Sequence, residues 1–225
     1  MRTRRPSQRG MALVMALVLM MAVLLTGFAS VRAALADGQS ARHERDRQSA
    51  LHAADAALLD AEYELAATAP SSPRFAALAG AGFSAGCGKA GSENQGLCTL
   101  LPASSSPSWQ AIDLAGDDPA LVLYGTYTLR TLAGVARAPR YLIELIPLDP
   151  AYGRFYRITA LGFGQLASTR VVLQSFYRVA PAAGAGPPIA PAPPTGAAPV
   201  INLPDHRLGW REVANWPALH AAAIY

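Results

Sequence analysis

The chain has 225 residues, 52% of them hydrophobic and only 15% charged, with a formal charge of +4. That is too apolar for disorder throughout, and long enough for a membrane segment plus one domain of ordinary size. The positive balance is arginine, since Lys89 is the only lysine and four of the first nine residues are arginine; no arginine-aromatic interleaving or nucleic-acid motif accompanies it, so the charge argues for membrane topology and against a nucleic-acid partner.

The first predicted element follows Gly10. Residues 11–31, "MALVMALVLMMAVLLTGFASV", form an uncharged run of 21. At about 1.5 Å per residue in a helix they cover roughly 31 Å, the hydrocarbon thickness of a bilayer. The arginines in front predict a cytoplasmic N-terminus, with the rest of the chain across the membrane. An "ALA" at 34–36 leaves a cleaved signal peptide open as the alternative. Against it, signal h-regions run about 7–15 residues, and Arg32 stands between the apolar run and that site.

The helical pattern continues past the membrane boundary. There is no proline from Ala33 to Ala67, and "RDRQSALHAADAALLDAEYELAA" is built from strong helix formers. Leu51, Ala54, Leu58, Ala61 and Leu65 recur at i, i+3/i+4 and make a narrow apolar stripe. Asp46, Arg47, Asp55 and Glu62 fall on other faces. For Asp55 and Glu62 the bland reading is a solvated carboxylate, and the functional one is a pair with a neighbouring subunit's arginine. One helix is predicted over 11–67, with Gly38 as the point where it could bend or break.

Residues 68–119 change to glycine, serine and proline punctuation, a loop-rich region that contains Cys87 and Cys98, the only cysteines. Four strand-like runs follow at 120–131, 139–147, 154–162 and 168–178. Connections of about 5–8 residues favour antiparallel neighbours, because parallel crossovers need a dozen or more. The predicted class is α+β, a long helix packed on a four-stranded antiparallel sheet through Leu51, Leu58 and Leu65. Residues 179–225 hold a Pro/Ala-rich linker and a tail with Trp210 and Trp216.

Little in the chain carries catalytic chemistry. Cys87 and Cys98 pair by default if the domain is exported, and the C-x₂₋₄-C spacing of a zinc site is absent. "GFSAG" is a formal G-x-S-x-G match, with Ser84 as nucleophile and Asp113 and His206 downstream in hydrolase order. The elbow needs a strand before it and a helix after it, and neither is predicted here. "CGKAGS" has Phe83 where a phosphate loop needs its first glycine, and Ala90 where it needs Ser or Thr. His43, His52, His206 and His220 make no ligand pair at helical spacing. No enzyme activity, metal or cofactor is expected.

The segments "QRGMALVMALVLMMAVLLTG", "RDRQSALHAADAALLDAE" and "YRITALGFGQLASTRVVLQSFYR" together resemble a PilX-type minor pilin, a type IV prepilin. The resemblance implies that residues 1–10 are a leader, cut after Gly10 by a membrane prepilin peptidase that also N-methylates Met11. It implies a single-pass protein of the bacterial inner membrane with a periplasmic domain, extracted into a pilus. Its implied partners are other minor and major pilins, the prepilin peptidase, the inner-membrane assembly platform and membrane lipid. Most pilins carry glutamate as the fifth mature residue, where Met15 stands here, which implies a role in priming assembly and a place at the tip. A type II secretion tip pseudopilin shows the same absence and remains the alternative, together with a signal-anchored periplasmic binding protein.

Overall fold

The computed structural model describes residues 11–66, 73–102, 105–149, 152–181 and 206–224. Gly10 and linker residues 182–205 lie outside them. The chain divides into two compact units, Met1–Arg45 and Asp46–Tyr225. Helix α1 is Met11–Ala66. It runs unbroken through Gly38, because a single glycine costs a helix only about 1 kcal/mol among good helix formers. In the first unit, every residue of this helix from 11 to 45 is exposed.

The second unit is a helix-on-sheet domain. A short helix α2 (Pro73–Ala76) leads into an irregular turn at Ala77–Ala81. Then come β1 (Leu97–Thr99), α3 (Ser108–Ala111), β2 (Val122–Leu123), β3 (Arg140–Ile146), β4 (Arg154–Phe163), β5 (Arg170–Val179), β6 (His206–Glu212) and α4 (Trp216–Ile224). The order across the sheet is β1-β3-β4-β5-β6, with β2 also paired to β3. Only β1 runs parallel to its neighbour.

Alternation along the strands feeds two cores, one on each face. Tyr141 and Ile143 of β3, Tyr156, Ile158 and Ala160 of β4, and Val171, Leu173 and Tyr177 of β5 pack with Ala50, Ala54, Ala57, Leu58, Ala61 and Leu65 of α1. The intervening residues Leu142, Leu161, Phe163 and Val172 pack with Trp109, Leu114, Leu121, Val213 and Trp216. The predicted apolar stripe is therefore the one that meets the sheet, with Leu51 at its partly buried margin. Alanines let the helix sink close to the strands. At Gly162 of β4 the approach is so tight that a Cβ would strike the Ala50 carbonyl and the Ala54 nitrogen.

Three expectations need correction. The sheet has six strands and is mixed, not four antiparallel ones: β1 and β6 add to it from segments that carry no strand signal. The predicted strand 120–131 shrinks to Val122–Leu123. Gly125, at φ 80°, turns the chain away from β3, and Asp60 of α1 captures its N–H. Asp46 and Glu62, assigned to faces away from the stripe, are buried, because the sheet and its loops wrap further round the helix than the stripe alone.

Candidate functional site

Two surfaces of α1 hold the residues singled out by sequence, one in each unit. In the first unit, Met11 to Val31 is uncharged and exposed throughout, with Met15 at 61% exposure. Its hydroxyls are satisfied inside the helix. Thr26 Oγ1 donates to the Ala22 or Val23 carbonyl, and Ser30 Oγ donates to the Thr26 carbonyl. A helix that asks for no polar partner is one that lipid or a bundle of apolar helices can surround. Among the described residues this is the one helix long and apolar enough to cross a membrane. Arg32 closes the run, its guanidinium lying 4.4 Å over the Phe28 ring.

In the second unit the continuation of α1 carries five carboxylates that the domain grips. Asp46 accepts from the Gln165 backbone N–H and the Thr169 hydroxyl. Asp55 accepts from Arg207 Nη1 at 3.1 Å, and Glu62 accepts from Arg207 Nε at 2.8 Å and Ser175 Oγ at 3.2 Å. Asp60 accepts from the Gly125 N–H and the Thr128 hydroxyl. Glu64 accepts from Arg74 Nε at 2.9 Å and from the Tyr141 hydroxyl. A sixth contact has the reverse polarity: Arg47 of α1 donates to both oxygens of Glu212 on β6, each at 2.7 Å. Asp55 and Glu62 thus pair within the chain, through an arginine in the tail.

Desolvation raises the Glu64 carboxyl above its ordinary value, although Arg74 and the Tyr141 hydroxyl favour its charged form. The Tyr141 hydroxyl is pushed well up by burial and by the adjacent Glu64 charge. At Arg207 burial works to lower the value, but the hydrogen bonds and charges of Glu62 and Asp55 together raise it. Arg74 also donates to the Glu93 and Gln95 carbonyls and stacks 4.0 Å over the Tyr127 ring, so it ties the helix end to the loop closed by the Cys87–Cys98 disulfide.

The residues of the hydrolase pattern are engaged separately. Ser84 forms an isolated bridge with Cys98, between an irregular helical turn and a loop. Asp113 accepts from the Ala115 N–H, and the His206 ring meets the Tyr177 hydroxyl. Among the described residues no hydrogen bond joins the three, and no group of three or more His, Cys, Asp or Glu could hold a metal ion. Sequence reasoning missed Arg207, Arg74, Asp60 and Glu64. For Arg207 the available signal was that arginines recur in a tail beyond a proline-rich linker.

An apolar helix of membrane-spanning length, continued as a helix clasped on a sheet, is consistent with a membrane-anchored subunit of pilin type. Two family models cover most of it: PilX N-terminal matches residues 9–59, and type IV pilus assembly protein PilX, C-terminal, matches residues 87–179. The chain belongs to the PilX-type minor pilins of the type IV pilus. Comparison with curated proteins and with solved structures gives no match.

Proposed function

We propose that this minor pilin primes type IV pilus assembly and stands at the tip of the fibre, without catalytic activity of its own. In this reading a prepilin peptidase cuts between Gly10 and Met11 and methylates Met11. The arginine-rich leader stays cytoplasmic, the 11–31 segment spans the inner membrane, and the sheet domain lies in the periplasm until extraction. The assembly platform and the other minor and major pilins are its partners.

The observation that carries the tip assignment is Met15. A repeating subunit needs an acid at this depth to meet the terminal ammonium of its neighbour, since an unpaired charge in a low-dielectric bundle costs several kcal/mol. From Met11 to Val31 there is no carboxylate to supply it. A chain of this kind fits where no neighbouring amine has to be neutralised. The matched family is one of type IV pilus assembly, which favours the pilus over a type II secretion pseudopilin. Immunogold labelling of sheared pili tests the assignment. Label confined to one end is expected, and label spread along the shaft would remove it.

A further inference from the structure

A leucine is held in a conformation that leucine avoids, on the outside of the domain. Leu129 has φ 59° and is 88% exposed. Left-handed backbone is disfavoured for a residue with a Cβ, and an exposed side chain returns nothing by packing. The loop around it is fixed. The Leu129 N–H donates to the Gly125 carbonyl at 2.8 Å, the Gly125 N–H donates to Asp60 on α1, and the Thr128 hydroxyl reaches the same carboxylate. Asp60 is fully buried, so the loop is anchored to the helix core.

The anchor places Leu129 beside the outward face of α1, where Leu59 and Tyr63, either side of Asp60, are 48% and 56% exposed. Arg130 lies 4.5 Å over the Tyr63 ring. Among the described residues Arg130 has no carboxylate partner. A prominent apolar side chain, an aromatic platform and a cation without its counter-ion form one patch. Its chemistry calls for an apolar recess with a carboxylate at the rim. One arginine is too little charge for a membrane contact, since recognition of anionic lipid takes a cluster of basic side chains.

We infer that Leu129, Tyr63 and Arg130 form a docking knob for a different pilin subunit, one that presents an apolar recess bordered by a carboxylate. The inference rests on the chain being a pilus subunit. The left-handed leucine is retained for what it displays, and the fold would be more stable without it.

The test uses the full chain in piliated cells and, for melting, the full chain in detergent. Leu129→Asn puts a residue that tolerates left-handed backbone at this position, so Tm should rise by about 2–4 °C. Its amount in sheared pili should nevertheless fall by about tenfold, the size of a hot-spot loss. Arg130→Glu should reduce incorporation similarly and leave Tm unchanged. A photo-cross-linking amino acid at position 129 should capture another pilin. Wild-type incorporation of Leu129→Asn, or a fall in its Tm, would overturn the inference, as would a cross-link to lipid or to a second copy of this chain. Absence of the wild-type chain from sheared pili, with piliation intact in its deletion, would instead remove the pilus-subunit reading itself.

Discussion

Arg207 on β6 donates to Glu62 at 2.8 Å and to Asp55 at 3.1 Å on α1, residues 145 and 152 positions earlier in the chain. The Arg207 side chain is 24% exposed, and those of Glu62 and Asp55 are 11% and 42%. This sits between a surface pair, worth under about 1 kcal/mol, and a buried one, whose disruption costs about 3–5 kcal/mol. Arg207→Ala should therefore lower stability by about 2 kcal/mol. Denaturant unfolding of the detergent-solubilised chain measures it. A loss no larger than that of a surface arginine would mean that the clasp does not hold the helix.

Gly162 is the floor on which α1 rests, and a Cβ there meets helix backbone, which cannot swing aside as a side chain can. Gly162→Val should push α1 off β4 and cost about 1–3 kcal/mol, as overpacking does. The same change at Gly209, where a Cβ meets nothing within 4 Å, should leave stability nearly unaltered. Equal effects at the two sites would show that close approach of the helix is not what requires Gly162.

Glu64 gives the domain a pH dependence of defined sign. Its folded pKa lies above the ordinary 4.5 through burial, which outweighs Arg74 and Tyr141 and is reinforced by Asp60. The folded chain then keeps this proton at pH values where the unfolded chain has lost it. The contribution of Glu64 is fullest below about pH 4.5 and declines as pH rises toward the folded value. Relative to Glu64→Gln, the wild type should lose ground between pH 4 and pH 7 in paired unfolding measurements. A wild-type advantage that grows with pH would show that the charged pair with Arg74 outweighs desolvation.

Processing makes a mass prediction. If the leader ends at Gly10, the mature chain begins with N-methylated Met11. Intact-mass and N-terminal peptide analysis of purified pili should find that species. A mature chain starting at Asp37 would mean signal-peptide cleavage after Ala36 and would end the prepilin reading.

How far the sequence reveals the fold depends on the length of the signal. The helix and strands β3 to β5 are legible because each repeats its period over many residues, and the stripe from Ala54 to Leu65 does face the sheet. Strand β1 has three residues and pairs with β3 more than forty positions later, so no local pattern announces it. Strand β6 carries no strand signal because Gly209 and three charged side chains interrupt its alternation. For the carboxylates, helical spacing assigns Glu62 to a face away from the apolar stripe. Nothing in that spacing says that Arg207 returns to cover it, because the return is made by tertiary pairing along β5. The roles expected of Gly10 and Met15 rest on the family resemblance and on their position relative to the apolar run.

Placing the last strand against the first helix has a consequence for biogenesis. Synthesis runs from N to C at about 5–20 residues per second, so Glu62 exists roughly 7–30 s before Arg207 does. Throughout that interval the helix flank bears Asp55 and Glu62 without their cation, and once Val179 has been made β5 is an open sheet edge able to recruit foreign strands. Only a chain translated past Arg207 can close both. A stop codon anywhere in the linker would leave the leader, the apolar helix and every residue of the two matched segments intact, yet yield a domain with a sticky edge and a destabilised helix. The terminal strand therefore acts as a completeness check, and truncated copies should be cleared by proteolysis before they can enter a fibre.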